Sequence, residues 1–386
     1  MLKYPFDFQK IKGKLLARVS RFVVEVEVRG IKSTAYLPNP GRLWELLLPG
    51  TELTLSPDLS KGKLPYTVLG CCKNNQHVLL HTHLTNKMIH SLLNSGSIKS
   101  FKNYRVIREE PVYGRHRFDL LLENRISADK YFLEIKSSTL FAGSFAMFPD
   151  AVTLRGTNHL RKLEELSLNG VKTGCLFVVM SPEADYFLPA YSIDPLFAQT
   201  FMDVKNKVAL RALAVGFDHS LSEVSTIREI DIPYDLIKQE LQDRGYYLLL
   251  ISLDKSQALK IGSLGTRSFP RGYYVYVGSA KRRLTKRIAR HTRISKNKHW
   301  HIDHLTTEAN KIVPIPIVSS DNGECVLAKT LGSIADYTVN GFGSSDCQCP
   351  GHLFYFNQHP LQNPSFVETI QEHRILRLDG KINSGS

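Results

Sequence analysis

The stretch YFLEIKSS, residues 131–138, decides how the chain is read. Phe132, Leu133 and Ile135 are strand formers and Tyr131 opens the run, so it predicts a buried β-strand. Glu134 and Lys136 stand in its middle. Alternate strand residues point the same way, so the two charges share one face. Charges inside an apolar strand are costly unless they are paired or bind something.

Upstream, RHRFDLLL (115–122) sets Asp119 among apolar residues of a preceding strand, and the polar NRISAD (124–129) reads as the turn of a hairpin. Paired in that way, Asp119 comes close to Glu134. Two carboxylates a few ångströms apart repel unless a cation sits between them. Hard oxygen ligands with no His or Cys nearby suit Mg²⁺ or Mn²⁺. A lysine on the same face can orient a water or stabilise phosphate charge, which fits metal-assisted phosphodiester hydrolysis. Glu109 or Glu110, in REEP, could add a further acid. Taken alone, the pattern has a plainer account, a structural salt bridge from Glu134 to Lys136 or Arg117.

The 386 residues exceed what one hydrophobic core normally supports, so two or three domains are expected. The formal net charge of +14 favours a polyanion partner, nucleic acid first. Six cysteines, two of them adjacent (Cys71 and Cys72), do not form a disulfide framework. The start MLKYPFDFQK lacks the apolar core of a signal peptide, and no apolar run approaches the roughly 20 residues of a membrane helix. These features predict a cytoplasmic protein with no membrane partner.

Residues 1–85 read as short strands. RFVVEVEVRG alternates, with Val24, Val26 and Val28 on one face and Glu25 and Glu27 on the other. Five or so strands with few helices predict a small barrel of the oligonucleotide-binding type. Residues 86–239 read as an α/β core: a helix from 86 to about 110, two strands, a helix TNHLRKLEELSLNG capped by Thr157 or Asn158, a buried strand GCLFVVMSP, and a helix PLFAQTFMDVKNKVALRALAVG. A boundary falls near 240. Residues 240–360 form a third, α+β domain, and 361–386 a polar tail ending in a frayed KINSGS. Residues 241–386 hold 19 Lys and Arg against 11 Asp and Glu, so both halves of the chain are basic.

LPNPGRLWELLLPG (37–50) together with RFDLLLE, YFLEIKSSTL and AMFPDAVTLRGTNHLRKLEEL closely resembles the sugar fermentation stimulation protein family over roughly residues 10–235. The resemblance implies an OB-like barrel followed by a restriction-endonuclease-like core of the PD-(D/E)XK type. On that mapping Asp119 and Glu134 are metal ligands and Lys136 is the catalytic lysine. Members have been regarded as DNA-binding regulators, so the resemblance does not by itself imply cleavage.

Other residues in the matched region have physical readings. His159, Arg161 and Lys162 lie near a helix start, where cations and the helix dipole make either a phosphate site or a solvated face. Asp150 reads as a helix cap. Asn39, Gly41 and Arg42 lie in a turn from which Arg42 can reach phosphate, and Trp44 reads as core.

RGYYVYVGSAKRRLTKRIARHTRISKNKHWH (271–301) carries ten Lys or Arg and no Asp or Glu, interleaved with Tyr273, Tyr274, Tyr276 and Trp300. A strand leads into a helix from about Lys281, on which Arg283, Arg287 and Arg290 form a stripe at i, i+4 and i+7. Without acidic partners such a row suits a polyanion. GYYLLL (245–250), YVG (276–278) and Arg287 within LTKRIARH resemble a GIY-YIG nuclease module, most closely an uncharacterised GIY-YIG-like domain, over about 240–360. The resemblance implies that Tyr247 and Tyr276 position water, Arg287 holds the scissile phosphate and Glu324 binds a divalent ion. The insertion ISLDKSQALKIGSLGTRSFPR is longer than is usual between the two half-motifs. His299, His301 and Asp303 alternate as on a strand.

SDCQCPGH (345–352) offers Cys347, Cys349 and His352, and Cys325 follows Glu324. Zinc wants four such ligands, the C-x-C-x2-H spacing is unusual, and only the fold could bring Cys325 in; buried reduced thiols are the plainer reading.

The leading expectation is therefore a nucleic-acid-binding protein, DNA before RNA, with one or two metal-dependent endonuclease centres, Arg42, His159, Arg161, Arg283 and Arg290 holding phosphate. The rival is a non-catalytic DNA-binding regulator of maltose-type sugar-utilisation genes. A third reading is an RNA-processing or repair factor worked by the C-terminal module.

Overall fold

The computed structural model describes residues 2–3, 8–59, 62–114 and 116–382. The chain divides into two compact units, Met1–Lys238 with Leu378–Ser386, and Gln239–Arg377. No described helix is long and apolar enough to cross a membrane.

The first unit opens with a barrel. Strands β1 (Ile11–Arg18), β2 (Val23–Val28) and β3 (Ile31–Tyr36) form an antiparallel meander. β1 also pairs with β4 (Glu52–Ser56), and β4 with β5 (Tyr66–Lys73). A short parallel pairing, Ala35 with Tyr66 and Tyr36 with Thr67, closes the ring, giving the five-stranded OB barrel that the run of short strands predicted. Val24, Val26 and Val28 are buried and Glu25 is exposed, the period-2 pattern of a strand with one face inward. β6 (Gln76–Leu79) extends β5 as a hairpin.

Helix α1 (Thr82–Asn94) follows, burying Met88, Ile89, Leu92 and Leu93. It is shorter than expected. Gly96 takes φ +71, a left-handed conformation that ends the helix at little cost, and Tyr104–Glu109 is instead strand β7. β8 (Leu120–Asn124) pairs antiparallel with both β7 and β9 (Lys130–Ser138), so the predicted hairpin forms, with Leu120 opposite Leu133. Asp119 lies just ahead of β8 rather than within it.

Helix α2 (Leu154–Leu168) leads to β10 (Lys172–Val179), and α3 (Pro195–Val204) leads to β11 (Ala209–Phe217), paired in turn with β12 (Glu223–Ile230). β9, β10 and β11 run parallel. The sheet is seven-stranded in the order Leu2–Lys3, β12, β11, β10, β9, β8, β7. Every residue of β10 after Lys172 is buried, as befits a strand covered on both faces. The run PLFAQTFMDVKNKVALRALAVG is not one helix. It breaks after Val204, and its second half joins the sheet.

The cap of α2 is Thr153, whose Oγ1 accepts from Gly156 N at 3.1 Å, in place of Thr157 or Asn158. Asp150 does not cap this helix. Its Oδ2 accepts from Leu43 N at 2.6 Å and so ties the loop before α2 to the barrel's Asn39–Leu43 turn.

The second unit is built on an antiparallel five-stranded sheet. β13 (Gly245–Leu253) and β14 (Gly272–Ala280) form its centre, followed in sequence by helices α4 (Leu284–Thr292) and α5 (His301–Thr306), β15 (Lys311–Val318), α6 (Glu324–Ile334), β16 (Tyr337–Thr338) and β17 (Leu353–Phe356). The order is β15, β13, β14, β17, β16. The long insertion between the half-motifs is accommodated as a separate hairpin, Gln257–Lys260 with Thr266–Phe269. His301 and Asp303 stand on the short helix α5 rather than on a strand, because the Asp303 carboxylate accepts from the backbone at its start. The segment after 360, expected as a polar tail, carries helix α7 (Pro364–Arg374) with Phe366, Val367 and Ile370 buried. The last four residues of KINSGS lie outside the described residues.

Candidate nuclease-like sites

In the first unit, the strand period puts Glu134 and Lys136 on one face of β9, and the hairpin delivers Asp119 beside them. Asp119 Oδ2 accepts from Ile135 N at 2.7 Å and its Oδ1 from Asn86 Nδ2, on α1, at 2.7 Å. Glu134 is 2 % exposed. Its Oε1 binds both Lys136 Nζ and His159 Nδ1, while Oε2, also buried, has no hydrogen-bond partner among the described residues.

Burial, and then repulsion from Glu134, push the Asp119 carboxyl up to about 6. Burial also pushes the Glu134 carboxyl up, but Lys136 and His159 outweigh it and the net shift is downward. Burial lowers the Lys136 ammonium and Glu134 outweighs that, leaving it raised. At neutral pH the group therefore holds two carboxylates against the Lys136 ammonium. Among the described residues no arginine pairs with either acid, Arg117 standing 3.2 Å from Glu110. Glu109 lies 3.6 Å from His90 at the surface, so neither Glu109 nor Glu110 joins the cluster.

Beside these groups, Lys136, Asn86, Arg21, Arg155 and Asp150 line a cleft of about 320 Å³. It opens where β9 ends, the position at which parallel sheets commonly take ligands.

Two members of this site are not legible as such in the sequence. His159 is 8 % exposed and faces Glu134, so it is not a phosphate ligand on a solvated helix face. A signal for it exists: His159 precedes Leu163 by one turn, on the helix's apolar side, where a polar residue needs a buried partner. Asn86 gives no such signal. Arg161 is exposed, and Lys162 pairs with Glu165 at 2.6 Å. Arg42 lies over Trp44, 5.0 Å from the ring centroid, so Trp44 is half-exposed beneath a guanidinium rather than core.

In the second unit, Tyr247 faces Gly278 and Leu249 faces Tyr276 across β13 and β14. The two tyrosines are thus diagonal neighbours on one face, with ring centroids 6.3 Å apart. A Cβ on Gly278 would stand 2.5 Å from the Tyr247 hydroxyl, so the glycine makes room for that ring. Burial raises the Tyr247 phenol to about 12, and the Arg287 charge opposes the rise. Arg287 also lies 4.7 Å from the Trp300 ring centroid. Glu324, in the first turn of α6, accepts from the Ser279 hydroxyl and stands 3.2 Å from His352 Nδ1. Tyr247, Tyr276, Arg287 and Glu324 therefore share one electrostatic neighbourhood, Glu324 raising both phenols and Arg287 lowering them.

The expected arginine stripe is not one surface. Arg283 precedes the helix in a left-handed conformation, φ 56, and is exposed. Arg290 is turned onto Asp303, with bonds of 3.1 and 2.9 Å. Asp303, 0 % exposed, also takes His291 and the backbone of His299 and Trp300. Its pKa is held far below the usual carboxylate range against burial, which would raise it. The acid just beyond the acid-free run thus neutralises part of it.

Comparison with known proteins agrees with this division. The "SfsA N-terminal OB domain" matches residues 16–80, the "Sugar fermentation stimulation protein RE domain" matches 83–221, and the "Domain of unknown function DUF123", which is GIY-YIG-like, matches 246–375. A sugar fermentation stimulation protein homolog of Clostridium tetani is 33% identical over 222 residues, 57% of this chain and 96% of that one. The homolog of Moorella thermoacetica is 37% identical over 195 residues, 50% of this chain and 84% of its own. The solved structure of SfsA from Pyrococcus furiosus in complex with Ca²⁺ superposes with a TM-score of 0.55 at 28% identity, covering 60% of this chain and 99% of that one.

Proposed function

Because this chain belongs to the sugar fermentation stimulation protein family, we propose that it is a DNA-binding protein whose first unit is a PD-(D/E)XK-type, Mg²⁺- or Mn²⁺-dependent endonuclease. The observation that carries this reading is the Asp119–Glu134 pair. Two buried carboxylates lie close enough to repel, beside Asn86 and Lys136, which line a cleft; one has its pKa pushed up to about 6, and the other has a buried oxygen with no hydrogen-bond partner among the described residues. A native protein seldom leaves a buried carboxylate oxygen bare, and a hard dication would satisfy it. The Ca²⁺ in the Pyrococcus furiosus relative supports a hard-cation site in the family.

Such an ion supplies a lowered water pKa and a polarised phosphoryl oxygen. The chain's own residues do the rest. Asn86 and the Ile135 N–H fix Asp119. His159 and Lys136 fix Glu134, leaving Oε2 for the ion. Lys136 also lines the cleft, where its ammonium holds a phosphate oxygen or the attacking water. Arg21 and Arg155, with the barrel, hold the strand through its phosphates, so affinity depends on salt more than on sequence.

A second reading, a non-cutting DNA-binding regulator of sugar-utilisation genes, is favoured by one observation. Glu134 Oε1 is already paired with two cationic or ionisable groups, as in a finished salt-bridge cluster. The test is incubation of the purified chain with single- and double-stranded DNA in Mg²⁺ or Mn²⁺. Cleavage that is lost in Glu134→Gln supports the nuclease. Binding without cleavage of any DNA under either ion leaves the regulator.

A further inference from the structure

We propose that Cys325, Cys347, Cys349 and His352 hold one structural zinc ion in the second unit, a site independent of the phosphodiester centre above. The four residues come from separate places: Cys325 from the first turn of α6, Cys347 and Cys349 from the connection between β16 and β17, and His352 from the residue before β17. The fold brings their ligand atoms within 4.8 Å of one another. Tetrahedral zinc, with bonds of about 2.3 Å to sulfur and about 2.0 Å to nitrogen, separates its ligands by about 3.5–3.8 Å. Cys347 Sγ and His352 Nε2 are 3.4 Å apart. With every pair within 4.8 Å, the set needs only small inward shifts to close on an ion.

Three features argue against idle thiols. Cys325 is exposed and Cys347 and Cys349 are partly exposed, so none of the three is the buried reduced core thiol that the sequence suggested. Three thiols cannot all be consumed by one disulfide. And His352, 2 % exposed, turns Nε2 to the thiols while Nδ1 stands 3.2 Å from Glu324 Oε1. A ligating histidine characteristically turns its other ring nitrogen to a carboxylate, which fixes ring orientation and strengthens the ligand. Three thiolates and one imidazole are the donors of a closed structural zinc site, with no position left for substrate.

The ion's physical task is visible in the connection it closes. Residues 339–352 leave the two-residue strand β16 and return to β17, and the backbone bonds that cross this excursion include Gly341 N to Pro350 O and His352 N to Phe342 O. Zinc would staple the excursion to α6. The same excursion packs on the tyrosine site: a Cβ on Gly343 would stand 2.9 Å from Tyr276 Cε2. Glu324 acts in this scheme as a positioning residue for His352.

The test is the metal content of the full chain, expressed with zinc present and purified without chelator or metal-affinity tag. About one zinc per chain is expected, released when a mercurial titrates the thiols. Cys347→Ser with Cys349→Ser should lose it, and Cys72→Ser should retain it. Glu324→Gln should still bind but release zinc to a competing chelator about tenfold more readily. If the double variant is insoluble, cobalt substitution of the unaltered chain decides, intense thiolate-to-cobalt bands being expected. Less than about a tenth of a zinc per chain, stoichiometric iron in its place, or cobalt without thiolate bands overturns the proposal.

Discussion

Cation binding at the Asp119–Glu134 site should respond to pH through Asp119. Its carboxyl is raised to about 6, first by burial and then by Glu134, and a bound dication needs it ionised. Lowering the pH from 7 to 5 leaves roughly a tenth of Asp119 ionised, so the apparent Mn²⁺ affinity should fall about tenfold, or ~1.4 kcal/mol. Binding should release about 0.9 proton at pH 5, about half at pH 6 and about 0.1 at pH 7. Glu134, lowered rather than raised, contributes less to this count than Asp119. Titration calorimetry in buffers of different ionisation heat reads both quantities, and Asp119→Asn should abolish the pH dependence along with most of the affinity. The same shift has a stability consequence. A carboxyl weakened by folding contributes stability that is present below its unfolded value, near 4, and lost as the pH rises through 6, and the ion offsets that loss. An Mn²⁺ affinity unchanged between pH 5 and 7, with no proton released at pH 5, would refute the two-carboxylate account of the site.

Three single contacts carry expectations of their own. Lys136→Ala should lower turnover about a hundredfold or more while DNA binding, read by fluorescence anisotropy, stays within about twofold; equal loss of both would mean that Lys136 only holds phosphate. Arg290→Ala leaves the buried Asp303 without its bidentate partner and should cost the second unit about 3–5 kcal/mol in denaturant unfolding; an effect below about 1 kcal/mol would mark the pair as replaceable by His291 and Lys296. Gly278→Ala drives a methyl into the Tyr247 ring and should cost about 1–3 kcal/mol, seen as a lowered Tm of the second unit.

Much of the architecture is legible because local periodicity reports it. Val24, Val26 and Val28 alternate with Glu25 and Glu27, and the barrel strand they predict buries the same face. The continuous apolar run that starts at Cys175 likewise reads as a strand covered on both sides, and Cys175, Leu176, Phe177, Val178 and Val179 are all buried in β10. The differences fall where two elements share one apolar stretch. The helix expected over 86–110 stops short of Gly96, and the one expected over 195–216 ends where the chain turns after Val204. Composition cannot place a break of that kind when Ala, Leu and Val suit both states. The cap of α2 lies a turn earlier than expected for a related reason: Thr153, Thr157 and Asn158 are all residue types that cap, and it is Thr153 whose Oγ1 accepts from Gly156 N.

The sequence by itself determined which side chains share a face. A strand repeats every second residue, so Glu134 and Lys136 had to project together wherever β9 was laid down. It also determined most element types and the basic balance of both halves. Only the tertiary structure decided who meets that face. His159 and Asn86 reach Glu134 and Asp119 from two helices, Asp303 draws Arg290 out of the expected stripe, and Cys325 is carried to Cys347, Cys349 and His352 from a different element. Spacing along the chain governs neighbours within about one turn or one strand pair. Beyond that range, distance is fixed by how the apolar faces pack, and no local pattern encodes it.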